Sequence, residues 1–161
     1  MSSTVEQSIE VAVPIRTAYD QWTQFEEFPS FMEGVEEVRQ LDDTHLHWRA
    51  EIAGTEREWD AEITEQRPEE RVAWRSTAGL TNAGVVTFHK LDDGHTKVML
   101  QQDVEPSGFA ERAAEMLGII ERRAKGDLER FKDLIEQRGA ASGGWRGEVP
   151  REGGGTATPG A

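Results

Sequence analysis

The sequence predicts an α+β domain in which a curved antiparallel sheet wraps around a long C-terminal helix. Three features predict it: a strand followed at once by two short helices, a series of β-hairpins, and a final helical repeat of about thirty residues. The sheet and the long helix each carry one apolar face, and neither face is buried without the other. We therefore expect the helix to lie across the concave side of the sheet.

The first strand and the two short helices follow one another directly. Val5, Gln7, Ile9, Val11 and Val13 fall at every second position and all but one are apolar, as in a strand with one buried face. Pro14 suits the first position of a helix, because the N–H that proline lacks would have no intrahelical partner there. Apolar and aromatic residues then recur at helical spacing, and a second aromatic turn surrounds Pro29. The residues concerned are Ile15, Ala18, Tyr19, Trp22 and Phe25, then Phe28, Phe31 and Met32.

Residues 45–62 predict a β-hairpin with a two-residue turn. Counting back from that turn places Trp48 opposite Trp59 on one face, and Arg49 opposite Glu58 on the other. The first face is aromatic and apolar, whereas the second carries complementary charges. A slip of one residue would destroy both patterns, so they fix the register together. We expect an exposed ion pair between Arg49 and Glu58.

Further hairpins are predicted over the next part of the chain. The strands are residues 71–77, 85–90 and 97–104, with connecting loops at 78–82 and 91–95. The second loop sets Phe88 opposite Val98 and Gly84 opposite Gln102, with the Gln102 side chain on the inner face. A chain of hairpins of this kind is typical of an antiparallel sheet.

The last helix is predicted over residues 109–138, where apolar residues repeat at helical spacing. Ser107 is a suitable N-cap, and Gly139 is a typical stop signal. Residues 140–161 are rich in glycine and cannot form a core. The sequence therefore predicts a domain of residues 1–139 and a flexible tail of residues 140–161. Trp145 is the tail's one large apolar side chain, and it either docks on the domain or stays in solvent.

This order of elements, with the spacing of Pro14, Trp22 and Pro29, resembles the START-like (helix-grip) superfamily and its polyketide cyclase/dehydrase branch. The sequence Phe28-Pro29-Ser30-Phe31 belongs to the same resemblance, which covers residues 4 to about 139. It implies a helix-grip fold with a cavity between the sheet and the long helix. Members of the superfamily bind lipids, sterols, quinones or polyketides there, and some catalyse cyclisation or dehydration. The resemblance alone assigns neither activity to this chain.

The chain departs from the aromatic polyketide cyclases at two positions. Where those enzymes place an arginine in the cavity it has Ile63, and where they have a tyrosine after the helix it has Gly34. The predicted function is therefore the binding of a hydrophobic small molecule (a lipid, quinone or polyketide-like compound) between the sheet and the C-terminal helix. The alternatives are a polyketide cyclase or dehydratase acting in the same cavity, and a protein-contact module whose cavity is collapsed.

Composition argues against several other classes of protein. A formal net charge of −13 is unsuited to nucleic acid or to an anionic membrane surface, both of which attract basic faces. The absence of cysteine excludes a thiolate metal site and a thiol nucleophile. No run of about 18 apolar residues predicts membrane insertion. We expect a cytoplasmic protein without a cofactor, and the oligomeric state is left open.

The histidines give a weak indication of a metal site. His45 and His47 share the charged face of the predicted hairpin with Asp60 and Glu62, which lie opposite them. Two histidines and two carboxylates can bind zinc, but exposed ion pairs across strands are far commoner. No metal is predicted.

Eight residues are predicted to bind the ligand. They are Tyr19, Trp48, Arg57, Trp59, Trp74, Phe88, Gln102 and Leu117. Arg57 falls on the apolar face, where its guanidinium could bind a carboxylate or enolate, although near a strand end it could equally reach water. Tyr19 either aims its phenol into the cavity or packs in the core with one hydrogen bond. No acid/base pair converges on one point, so catalytic residues are unassigned.

Overall fold

The computed structural model describes residues 3–52, 54–79, 82–104, 113–144 and 147–149. The elements follow the predicted order, except that one additional strand comes directly after the short helices. The strands are β1 Ser3–Val11, β2 Val35–Gln40, β3 His45–Ile52, β4 Thr55–Arg67, β5 Arg71–Gly79, β6 Asn82–Asp92 and β7 His95–Val104. The helices are α1 Ile15–Trp22, a 3-10 helix Phe25–Ser30 and α2 Ala113–Arg138.

The strands form one antiparallel sheet of seven, in the order β1-β7-β6-β5-β4-β3-β2. From β2 to β7 each strand pairs with the next along the chain, whereas β1 pairs with β7 at the far edge. The two short helices therefore carry the chain from one edge of the sheet to the other. Register shifts mark β-bulges in β2, in β4, in β5 and near the end of β6. Bulges bend the strands that contain them, and the sheet is curved.

The predicted hairpin registers are confirmed. The pairs are Trp48 with Trp59, Arg49 with Glu58, Phe88 with Val98, and Gly84 with Gln102. The expected ion pair between Arg49 and Glu58 was wrong, although the two residues lie opposite each other. Arg49 Nε lies 3.8 Å from Glu36 Oε1 on β2, the strand that was not predicted. Glu58 instead contacts Nε2 of His47 at 3.0 Å.

The core lies between the concave face of the sheet and α2. Phe131 of α2 is fully buried and packs edge-on against Trp22, with ring centroids 5.1 Å apart. The same ring lies 5.3 Å from Phe31, so the residues around the short helices and the long helix share one aromatic cluster. Leu128 and Ile135 of α2 are also buried. The helix therefore lies on the sheet as the sequence predicts, and among the α2 residues whose burial is described those of the C-terminal half are packed most deeply.

The end of α2 is confirmed, while its predicted start lies outside the described residues. Gly139 follows the helix with a φ of +67°, and its N–H donates to the carbonyl of Ile135 at 2.9 Å. The expected N-cap Ser107 and the first predicted residue, Phe109, belong to the part that is not described. Among the described helices, none is both long and apolar enough to span a membrane.

Part of the predicted tail lies against the domain. The Ser142 N–H donates to Oε1 of the fully buried Gln21 at 2.9 Å. Val149 and Gln66 of β4 exchange both backbone hydrogen bonds, each 2.9 Å long. A Cβ at Gly143 would lie only 2.8 Å from Gln24 Oε1, so the glycine that suggested flexibility permits a close approach. Trp145 lies outside the described residues, and a division at residue 139 stays a prediction.

The face of the sheet opposite α2 carries a charged cluster around His47. Its Nδ1 lies 2.6 Å from Asp60 Oδ1, and its Nε2 lies 3.0 Å from Glu58 Oε1. The hydrogen bonds that the His47 ring donates to the carboxylates of Asp60 and Glu58 raise the pKa of His47 above its ordinary value of 6.5. These are the cross-strand ion pairs that the sequence favoured over a metal site.

We expect Phe131→Ala to lower the free energy of unfolding by about 3–5 kcal/mol, because it removes a fully buried ring. Ile120→Ala should cost less than about 2 kcal/mol, because Ile120 is only partly buried. Urea unfolding measures both. Equal losses would contradict the conclusion that α2 is packed most tightly at its C-terminal half.

The His47 cluster predicts a pH dependence of stability. A pKa that is raised by folding stabilises the protein below the unfolded pKa of 6.5, and that contribution is lost as pH rises through the folded pKa. His47→Gln should therefore destabilise by roughly half a kcal/mol near pH 5.5 and less near pH 8.5, since the partners are exposed. Urea unfolding at both pH values measures it.

His89→Gln is the matched control for this experiment. His89 Nε2 contacts the Thr87 hydroxyl, and within the described chain it has no carboxylate partner. Its effect on the free energy of unfolding should not depend on pH in this way. The same pH dependence in both variants would contradict a specific role for the carboxylates around His47.

Candidate functional site

A cavity of about 140 Å3 lies between the concave face of the sheet and α2. A single water needs roughly 10–15 Å3 on this measure, so the space suits an organic molecule. Its surface is mostly apolar and aromatic, with a few polar groups. The lining residues are Trp22, Phe25, Phe28, Met32, Glu33, Val35, Leu46, Trp48, Ala50, Ile52, Trp59, Ile63, Val72, Trp74, Asn82, Leu100, Gln102, Ile120, Arg123, Ala124, Asp127 and Leu128.

Aromatic rings form one wall of the cavity. The pairing of β3 with β4 sets Trp48 beside Trp59, and their rings stack with centroids 5.6 Å apart at 10°. Phe28 of the 3-10 helix extends this row, 5.5 Å from Trp48. Ala50 follows Trp48 on the same face and is too small to fill the space beside it. The result is a flat apolar surface, which suits contact with a planar molecule.

A second wall combines an indole with carboxamides. Trp74 and Gln102 both lie opposite Gly84, on the strands at either side of β6. A Cβ at Gly84 would lie 2.5 Å from Trp74 Cζ2, so only glycine lets the indole lie across this strand. Asn82 lines the cavity from the same face of β6. This wall therefore offers hydrogen-bonding groups beside an aromatic surface.

The charged part of the lining comes from α2 and from the segment after the 3-10 helix. Asp127 accepts hydrogen bonds at Oδ1 from the backbone N–H of Glu33, at 2.8 Å, and from the Arg130 guanidinium. Burial raises the pKa of the Asp127 carboxyl above its ordinary value, despite these two bonds that favour the charged form. Asp127 is therefore a carboxyl at the cavity wall that holds its proton more readily than a surface aspartate.

Arg123 crosses from α2 to the strands at the same place. Its Nη1 donates to the carbonyl oxygen of Glu51 on β3. The guanidinium passes over Gly34, where a Cβ would lie 2.5 Å from Nη1 and 2.6 Å from the Glu51 oxygen. Gly34 also has a φ of +80°, which other residues rarely adopt. The absence of a side chain at Gly34 thus makes room for the Arg123 guanidinium.

The structure brings half of the predicted ligand-binding residues to the cavity. Trp48, Trp59, Trp74 and Gln102 line it. Tyr19 and Phe88 do not, because they pack edge-on against each other in the core, with centroids 5.4 Å apart. The Tyr19 hydroxyl accepts a hydrogen bond from Gln66 Nε2 at 3.1 Å. For Tyr19 the core alternative is therefore the one found, and Phe88, which was predicted only as a ligand-binding residue, lies in the core as well.

The other two predicted residues lie close to the cavity without lining it. Arg57 is on the same face of β4 as Trp59 and opposite Ala50, one step nearer the hairpin end. Leu117 is half-buried on α2, about one turn before Ile120, which does line the cavity. Among the described residues, no group of His, Asp and Glu side chains is placed to hold a metal ion.

Sequence reasoning missed the charged residues of the site. Arg123 and Asp127 are four apart on α2, a spacing that puts them on one helical face, but they read as part of its polar side. The aromatic residues Phe25 and Phe28 were recognised as a cluster, but not as part of the cavity. Their spacing indicates that they pack together. They reach the cavity because the two short helices carry the chain from one edge of the sheet to the other.

We expect Gly34→Ala to destabilise the protein more than Gly54→Ala does. Both glycines have positive φ values, +80° and +82°, so each variant should lose about 1–2 kcal/mol from backbone strain alone. A Cβ at Gly54 meets nothing within 4 Å, whereas one at Gly34 displaces Arg123. The difference in urea unfolding free energy measures that displacement. Equal losses would contradict a fixed position for Arg123.

Comparison with known proteins finds relatives of this chain in sequence and in fold. A relative from Streptomyces lincolnensis, an uncharacterized 17.2 kDa protein encoded in the melC2–rnhH intergenic region, is 59% identical over 148 residues, which are 91% of this chain and 99% of the relative. The Zhui aromatase/cyclase from Streptomyces sp. R1128 superposes with a TM-score of 0.74 at 20% identity, over 90% of this chain and 100% of that one.

A START superfamily protein from Mycobacterium smegmatis superposes with a TM-score of 0.62 at 19% identity, over 79% of this chain and 97% of that one. These two structural likenesses show the helix-grip fold. The sequence model of the family described as polyketide cyclase/dehydrase and lipid transport matches residues 11–133. Since that match covers most of the chain, the protein belongs to the polyketide cyclase/dehydrase and lipid transport family.

Proposed function

We propose that the protein binds a planar, mainly apolar small molecule in the cavity between the sheet and α2. The observation that carries this proposal is the open space beside the stacked pair Trp48 and Trp59, where Ala50 leaves room that a larger side chain would fill. Apolar surface that leaves water stabilises a complex by about 25 cal/mol per Å2. A cavity of this lining should therefore accept several flat hydrophobic compounds.

The cavity also bears on the alternative of a protein-contact module. That alternative requires a collapsed interior, whereas about 140 Å3 is open here. The family contains both lipid-transport proteins and cyclases, so membership is consistent with binding and does not choose the ligand.

We expect the neutral fluorophore N-phenyl-1-naphthylamine to bind and to quench tryptophan fluorescence, because Trp22, Trp48, Trp59 and Trp74 line the cavity. Ala50→Leu should weaken binding by roughly tenfold, since the larger isobutyl side chain of leucine occupies the cavity. Ala78→Leu, an exposed position on β5, is the matched control and should leave affinity within about twofold. Fluorescence titration measures all three.

Equal affinities of wild type and Ala50→Leu would place the fluorophore elsewhere on the protein. No binding of any flat apolar compound by the wild type would favour the protein-contact alternative.

A second candidate function is cyclisation or dehydration of a polyketide-like substrate in the same cavity. The observation in its favour is the Asp127 carboxyl, which lines the cavity and has a raised pKa. Such a carboxyl group, when ionised, can remove a proton from a methylene that lies between two carbonyls. The methylene carbon then attacks another carbonyl of the same substrate, and the carboxyl group returns the proton to the oxygen of that carbonyl. The Zhui aromatase/cyclase has the same fold, at 20% identity.

This second function predicts that the protein changes the products formed from a reactive poly-β-ketone. Asp127→Asn should then lower the rate of the catalysed product by about 10²-fold or more, the scale of a lost general acid or base. Asp133→Asn, exposed on the same helix, is the matched control. Product analysis by liquid chromatography measures the effect. An unchanged product pattern with wild-type protein would exclude this function for that substrate.

A further inference from the structure

We infer that Arg123 selects ligands that carry an anionic oxygen, so that the molecule bound in the cavity is a flat apolar compound with a carboxylate or enolate at one end. This inference rests on the proposed binding function and names the ligand class for the same site. The anion-binding role that the sequence suggested for Arg57 is thereby assigned to a residue that lines the cavity.

The charge of Arg123 is poorly neutralised within the described chain. Its Nη1 donates to a neutral acceptor, the backbone carbonyl of Glu51, which fixes the side chain but does not neutralise its charge. Its recorded ion pair joins Nε to Glu33 Oε2 at 3.8 Å, longer than a charge-assisted hydrogen bond. The Arg123 side chain is 19% exposed, against 60% for Glu33. An incoming carboxylate can therefore replace a distant and mostly exposed partner.

The neighbouring charges favour an anion over a cation at this place. The Asp127 carboxylate accepts hydrogen bonds at Oδ1 from the Arg130 guanidinium and from the backbone N–H of Glu33, so its negative charge is already offset by a cation of the protein. Glu33 is shared, since its Oε1 lies 3.9 Å from Arg130 Nη2. Arg123 is held in position before the ligand arrives, because Gly34 leaves the channel through which it reaches Glu51. A pre-positioned guanidinium loses less freedom when it binds an anion.

The test compares 2-naphthoate with its neutral isostere 2-naphthamide by isothermal titration calorimetry at neutral pH. We expect wild-type protein to bind 2-naphthoate roughly tenfold more tightly, as a charge-assisted hydrogen bond provides. Arg123→Gln should remove that preference and leave 2-naphthamide within about twofold. Arg122→Gln is the matched control, because it removes the same charge from the exposed neighbouring position of α2.

A second variant keeps the inference testable if Arg123→Gln folds poorly. Glu33→Gln alters an exposed side chain and removes the carboxylate that competes with the ligand. It should tighten the binding of 2-naphthoate several-fold and leave 2-naphthamide unchanged.

The outcomes separate this inference from the proposed function. Binding of both compounds with equal affinity by the wild type overturns the role of Arg123 and leaves apolar binding intact. A selective loss of 2-naphthoate in Arg57→Gln instead of Arg123→Gln overturns it as well. If neither compound binds to the wild type, the proposed function fails and the inference fails with it.

Discussion

The fold depends on the burial of α2 against the concave face of the sheet. Without α2, the concave face of the seven-stranded sheet would be exposed to water. The helix covers that face. The cover is complete at the C-terminal half, where Leu128, Phe131 and Ile135 are buried. Toward the other half, the partly buried Ile120 and the small side chain of Ala124 leave the space that forms the cavity. One packing interaction thus produces both the stability and the site.

Much of the fold could be predicted because its strongest signals are local. Hairpin turns fix the register of neighbouring strands, so alternation within a few residues placed Trp48 opposite Trp59. Strand β2 was missed for an equally local reason. A bulge between Val35 and Glu37 shifts its register, so its apolar residues Val35 and Val38 do not alternate. Glu36 on this unpredicted strand forms the ion pair with Arg49 that was expected for Glu58.

The site was predicted less well because its polar part joins residues that are distant in sequence. The backbone of Glu33 bonds to Asp127, 94 residues away, and Arg123 reaches Glu51 across 72 residues. Charged residues on a long helix ordinarily face water. Nothing in the local pattern of Arg123 and Asp127 shows that backbone groups near Gly34 lie within hydrogen-bonding distance of them. The aromatic strand residues could be assigned to the cavity because strand alternation shows which face of the sheet they occupy. Assigning the charged residues of α2 to it requires the position of the helix relative to the sheet, which the sequence does not give.

The pairing of Val149 with Gln66 extends the sheet beyond the end of β3. Strand β4 continues past the last residue that β3 covers, so the N–H and carbonyl of Gln66 would otherwise form an open edge. Open edges are where separate chains join and aggregate. The segment after α2 supplies its own backbone there, and a shortened chain that stops at Gly139 would expose that edge. The segment after α2 therefore covers backbone groups of β4 that the other strands of the sheet leave open on this side.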